Sequence, residues 1–257
     1  MDGADNGSGQ CAHKLDITVL LAQVSVLAHA PEAGRPPLAV LPGLWLFAPS
    51  RDSQGGSSWL LEGDRSGLGF DLLIDCPGYS QANLDWLAGR GGDGLLVLTS
   101  REGHGRCRRW QQALGWPVLV QEQEAYLLPG VERLQRFGAG HDLAAGVRLL
   151  WTPGSTPGAC VLHVGQQDLD VLFCGRLLAP VGVGAVAPLR TARTFHWPRQ
   201  LRSLATLRQW LPPDSPRWIA CGGGLGALRG EKLVPRGAAV LEALDLGPPA
   251  AAGSGAP

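Results

Sequence analysis

From Leu44 onward the chain runs in short apolar stretches bounded by Gly, Pro, Asp or Ser. The stretches "LWLFAP", "SSWLLEGD", "FDLLIDC", "GLLVLTS", "PVLVQE", "VRLLWTP", "ACVLHV", "DVLFCG" and "RWIACGG" are rich in Val, Ile, Leu and Trp, the residues that pack well on a pleated surface, and predict strands. Three segments carry helical spacing instead. "QANLDWLAGR" starts after the turn at Pro77 and Gly78; "GRCRRWQQAL" places Cys107, Trp110 and Leu114 on one face; "RQLRSLATLRQWL" aligns Leu201, Leu204, Leu207 and Leu211. Strands outnumber helices, and the helices fall between groups of strands. That order predicts two packed sheets with helices outside them, a mixed α/β (α+β) architecture.

The ends of the chain change this picture little. The expected division is a leader over 1–38, one domain over 39–245 and a tail over 246–257, the first and last read as disordered because they lack apolar periodicity. The run from Ile17 to Ala30 is too short to span a bilayer, and acidic Asp2, Asp5 and Asp16 precede it where a secretion signal wants a basic start. Lys+Arg and Asp+Glu both number 22, so no net field recruits nucleic acid or an anionic membrane. Six cysteines without a C-x-x-C pair read as thiols of a reducing, cytoplasmic compartment.

Five punctuated strand ends follow one another: "LLIDCPG", "LLVLTSREGHG", "LLWTPGSTPG", "VLFCGRLL" and "WIACGGG". In this order they resemble the metallo-β-lactamase fold superfamily, whose corresponding sites read roughly L-I-D-T-G, T-H-x-H-x-D-H, T-P-G-H-T-P-G, L-F-T-G-D and L-P-G-H-G. The resemblance implies a four-layer αββα sandwich. It also implies a site at one edge, where His and Asp hold zinc or iron and the metal makes a hydroxide nucleophile from bound water.

Carried over position by position, those ligands are missing. The four ligands of the T-H-x-H-x-D-H pattern fall on Ser100, Glu102, His104 and Gly105. The histidine of T-P-G-H-T-P-G falls on Ser155, the bridging aspartate on Arg176 and the last histidine on Gly223. A guanidinium is permanently cationic and has no lone pair for a metal. Arg176 is therefore expected to point into the vacated site and to pair there with Asp75 or Glu102. No cofactor is expected; zinc or iron would be expected only if the family's usual chemistry overrode the lost ligands.

Other residues carry competing readings. Glu102 and His104 read as solvated loop residues, with a general acid/base pair as the sharper alternative. Asp75 reads as a turn cap or a partner of Arg101 or Arg176. Cys76, Cys174 and Cys221 lie at strand ends that the resemblance directs to one edge, where a substitute thiol metal site competes with plain apolar packing. Arg106, Arg108 and Arg109 read as a solvated helix face, with an anion patch as the alternative. His163, inside "CVLHV", reads as a satisfied strand histidine. Two functions follow from these residues. One is a non-catalytic pseudoenzyme that binds a small molecule or a protein at the old active-site edge. The other is a divergent hydrolase of thioesters, lactones or phosphodiesters, with Glu102 and His104 as acid and base, Asp75 as orienter and Arg176 as clamp.

Overall fold

The computed structural model describes residues 34–166 and 168–246. The leader run at Ile17–Ala30 and the Gly- and Ala-rich tail fall outside the described residues.

Seven strands form the first sheet in chain order: β1 (Leu38–Leu41), β2 (Leu44–Phe47), β3 (Ser58–Leu61), β4 (Asp71–Ile74), β5 (Gly94–Leu98), β6 (Val118–Gln121) and β7 (Leu134–Phe137). The pairs from β1 to β4 are antiparallel, with the one-turn α1 (Gly63–Ser66) between β3 and β4, whereas β4 to β7 run parallel, because the crossovers α2 (Gln81–Arg90) and α3 (Cys107–Leu114) and the 3-10 segment Glu122–Leu127 intervene. The second sheet has the order β15 (Val234–Pro235), β14 (Trp218–Cys221), β11 (Leu169–Gly175), β10 (Cys160–Gln166), β9 (Val147–Trp151), β8 (Gly140–Ala144). A small ribbon, β12 (Ala179–Gly182) with β13 (Ala185–Ala187), follows β11, and helices α4 (Trp197–Trp210) and α5 (Gly237–Glu242) flank β14.

The continuous apolar runs arise because both faces of each sheet are covered. In β3, β4 and β5 one parity (Trp59, Leu61, Leu72, Ile74, Leu95, Val97) meets Leu149, Leu162, Val171 and Phe173 of the second sheet. The other parity (Leu60, Leu73, Leu96, Leu98) packs with Leu87 of α2 and Trp110 of α3. On the far side of the second sheet, Val161, Leu172 and Ile219 pack with Leu204 and Leu207 of α4 and Leu241 of α5. Three apolar layers between four structural layers make the αββα sandwich that the sequence predicts. Among the described residues, no helix is long and apolar enough to cross a membrane.

Several strands carry too little apolar signal to be read from sequence. β7 exposes Gln135 and Arg136 and β8 exposes Gly140 and Asp142, since each lies at a sheet edge with little to bury.

Candidate functional site

The C-terminal ends of β4, β5, β6, β11 and β14 lead into loops at one edge of the sandwich. Backbone hydrogen bonds sew these loops together, across the two sheets from Cys160 N–H to Thr99 O (2.8 Å) and Ser57 N–H to Gly222 O (3.0 Å), and within the second sheet from Gly222 N–H to Gly175 O (2.7 Å). Gly175, at φ +52°, lies so close to Thr99 that a Cβ would stand 2.6 Å from its Oγ1. Only glycine allows both this backbone conformation and this approach.

Asp75 follows β4 at φ +59° and is buried. Its carboxylate accepts hydrogen bonds from Thr99 N–H (2.7 Å) and Thr99 Oγ1–H (2.6 Å), so it ties β4 to the β5 loop and forms no ion pair with Arg101 or Arg176. Burial raises its pKa to about 6, against the lowering effect of those hydrogen bonds and of the Arg176 charge. Arg101 pairs instead with Glu124 (3.4 Å), a buried carboxylate that also accepts from Gly158 N–H at 3.1 Å. Sequence reasoning missed Glu124. It sits in "QEQEAYL" like an exposed acid, and only the 3-10 turn after β6 points it inward.

Arg176 follows β11 and pairs with Glu102 rather than with Asp75. Its Nη2 donates to the carbonyls of Ser53 (2.8 Å) and Gln54 (3.2 Å), and its Nε lies 3.5 Å from Glu102 Oε2. Arg193 reaches Glu102 Oε1 at 4.0 Å and donates to Gln54 Oε1 at 3.1 Å. A Cβ on Gly56 would lie 2.6 Å from Arg176 Nη2, so the bend at Gly56 leaves the guanidinium its place. A cation thus holds three loops together at the position onto which the sequence resemblance carries a metal-bridging carboxylate. Arg176→Gln is expected to lower stability by about 1–2 kcal/mol at pH 7, because two carbonyls lose a charged donor. Urea unfolding checks this; a variant as stable as the parent would show that the guanidinium ties nothing together.

Ser100 caps the one-turn 3-10 helix Arg101–Gly103, its Oγ accepting from Glu102 N–H at 3.3 Å. Ser155 lies in a loop docked onto the start of α4: Phe195 N–H donates to Ser155 O (3.1 Å), His196 N–H to Gly154 O (2.9 Å) and Ser203 Oγ–H to Pro153 O (2.7 Å). The Ser155 hydroxyl is buried without a partner. Its loop is held by its backbone, which leaves the side chain at this position free to be small. Gly223 offers only its carbonyl, which accepts from Ser57 Oγ–H at 3.0 Å.

One sequence reading needs correction. Glu102 and His104 are not solvated: the Glu102 carboxylate is drawn to two arginines, and His104 is 8% exposed. Burial, with the neighbouring Arg101 charge, lowers the His104 pKa to about 4, and its Nε2 has no hydrogen-bond partner. Of the two readings of the thiols, packing and a metal site, their placement supports packing. Cys76 packs beside Cys107 in the layer under α2 and α3, whereas Cys174 and Cys221, with sulfurs 3.7 Å apart, lie in the layer under α4. The whole inter-sheet core separates the two groups. Among the described residues, no three His, Cys, Asp or Glu side chains come together in a way that could hold a metal ion. The donor set therefore does not fit the family's metal.

One other constellation resembles nucleophilic machinery. Ser215 Oγ lies 2.9 Å from His163 Nε2, which lies 2.8 Å from Asp170 Oδ1. Both partners address the same ring nitrogen, while Nδ1 is buried without a partner, so no relay from serine through the ring to the acid exists. His163 is a buried strand histidine held through Nε2 alone, not the fully satisfied one that its position suggests.

Residues 90–214 match the family model described as Metallo-beta-lactamase superfamily. Solved structures share the fold at low identity. The BLEG-1 B3 metallo-beta-lactamase is 18% identical, with a TM-score of 0.56 over 76% of this chain and 95% of its own. A B3 metallo-beta-lactamase with an active-site glutamic acid is 17% identical, with a TM-score of 0.56 over 85% and 90%. A motif mutant of the Cronobacter sakazakii metallo-beta-lactamase is 16% identical, with a TM-score of 0.53 over 80% and 92%. The comparison with curated sequences gives no match.

Proposed function

We propose that this metallo-β-lactamase-fold protein is a non-catalytic member of its fold class that binds a small molecule at the old active-site edge. The observation that carries this reading is the Arg176–Glu102 ion pair, anchored on the carbonyls of Ser53 and Gln54. A fixed cation there repels a metal dication, and the carboxylate nearest to it is already engaged. The hydrolase alternative needs Glu102 and His104 to act together. Glu102 instead faces Arg176 and Arg193, and Asp75 orients Thr99 rather than an imidazole.

Metal analysis of protein purified without chelator tests the reading. The expected result is no stoichiometric zinc, iron or manganese, and no turnover of thioester, lactone or phosphodiester substrates above buffer. One equivalent of metal that survives gel filtration, or turnover abolished by His104→Ala, would overturn it.

A further inference from the structure

A cleft of about 440 Å³ opens beside His104, between the start of α3 and the turn after β6. Its size falls in the range that holds a small molecule. One wall is apolar, formed by Leu127, Leu128, Pro129 and Val131; the other carries Arg108 and Arg109. We infer that this cleft binds a small amphipathic carboxylate, its charged head on Arg108, Arg109 and the first turn of α3 and its apolar body along the leucine wall. The inference rests on the binding role proposed above and gives it a place and a ligand chemistry.

The charges at this cleft are arranged against the stability of the empty protein. A helix N-terminus carries partial positive charge and favours acids in its first turn. The first turn of α3 holds no acid and no side-chain cap, and Arg106, Arg108 and Arg109 crowd it instead. Asp52 answers Arg106 at 2.8 Å, while among the described residues no carboxylate lies within ion-pair distance of Arg108 or Arg109. An anion in the cleft would complement both the arginines and the helix terminus.

The two free arginines are also held in place. Arg109 lies over the Tyr79 ring, with its Cζ 5.6 Å from the centroid. The Arg108 guanidinium rests on the turn at Gly130, where φ is +76° and a Cβ would stand 3.1 Å from Cζ and Nε. The arginine side of the cleft is thus laid against the apolar side, which places a charged head and an apolar body next to each other. His104 also lines the cleft as a buried residue, its Nε2 enclosed by protein and without a hydrogen-bond partner.

Octanoate titrated into the full-length protein at low ionic strength, followed by calorimetry, tests the inference, with 1-octanol and inorganic phosphate as separate arms. The expected result is saturable octanoate binding that weakens about tenfold or more in Arg108→Ala/Arg109→Ala and also in Leu127→Asp, with both other probes binding more weakly than octanoate. Added salt should weaken it further. No octanoate binding would overturn the inference, as would equal binding of octanol or an affinity that ignores the arginine pair. Phosphate binding as tightly as octanoate would also overturn it, leaving a simple anion patch. None of these outcomes touches the metal analysis, so the cleft and the metal-free reading fail separately.

Discussion

Asp75→Asn is expected to lose about 3 kcal/mol more stability than the parent on acidification from about pH 6.5 to pH 4. Two buried groups oppose each other there. Burial raises Asp75 from 3.8 to about 6, so the folded state holds this proton more tightly than the unfolded chain, and the stability it contributes declines as pH rises through that interval. Burial lowers His104 from 6.5 to about 4, so the unfolded chain takes up this proton first, and stability declines as pH falls through that interval. Each effect amounts to about 3 kcal/mol, and the signs are opposite. Asparagine tolerates the left-handed backbone at φ +59° and can keep both contacts to Thr99, accepting from N–H and donating to Oγ1. It removes the acid's titration and leaves the histidine's. The variant should therefore gain on the parent as pH rises from 4 to 8. His104→Leu should show the converse, a stability that declines relative to the parent as pH rises toward 6. Urea midpoints for the three proteins at several pH values check this; a parent-minus-variant difference that does not change with pH would refute it.

Gly154→Ala is expected to destabilise the fold by about 3 kcal/mol or more and to lower the melting temperature correspondingly. Gly154 sits at φ +150°, a conformation that a side chain strains by about 1–3 kcal/mol. A Cβ there would also stand 2.3 Å from Gln200 Cα and 2.4 Å from Gln200 N, both backbone atoms of α4 that cannot swing aside. Overpacking of this kind adds about 1–3 kcal/mol. By contrast Ser155→Ala, one residue on, should be close to neutral or mildly stabilising, because it deletes a buried hydroxyl that has no partner. Calorimetric melting of the two variants checks the pair. Equal effects would mean that the loop is not held by its backbone.

The contrast between these neighbours shows how far the amino-acid order alone reaches. The Thr-Pro-Gly turns, the strand after them and the loss of histidine at Ser155 are legible as letters, because turn chemistry and metal-ligand chemistry are local properties of residue type. The same holds for Arg176, whose permanent charge excludes a metal wherever the chain places it. What Arg176 touches is different in kind. Its carbonyl partners at Ser53 and Gln54 lie more than 120 residues away in the chain, and backbone carbonyls leave no mark on composition.

The apolar runs, the three helical segments and the two-sheet, helix-flanked architecture were thus determined by the sequence itself, since burial on both faces of a sheet writes a continuous signal into the strands. The edge strands β7 and β8 were not, because an element that buries little has no such signal to write. Tertiary structure alone decided the state of the side chains at the site edge. It buried His104 and Glu124 in loops whose letters read as solvent-facing, and it split Cys76 from Cys174 and Cys221 by placing them on the outer faces of opposite sheets. It also brought Arg108 of α3 against the turn at Gly130 and Arg109 over Tyr79. Dielectric surroundings, charge partners and distances between remote loops exist only once the layers have packed, and these quantities set the pKa values and the cleft on which the proposed binding depends.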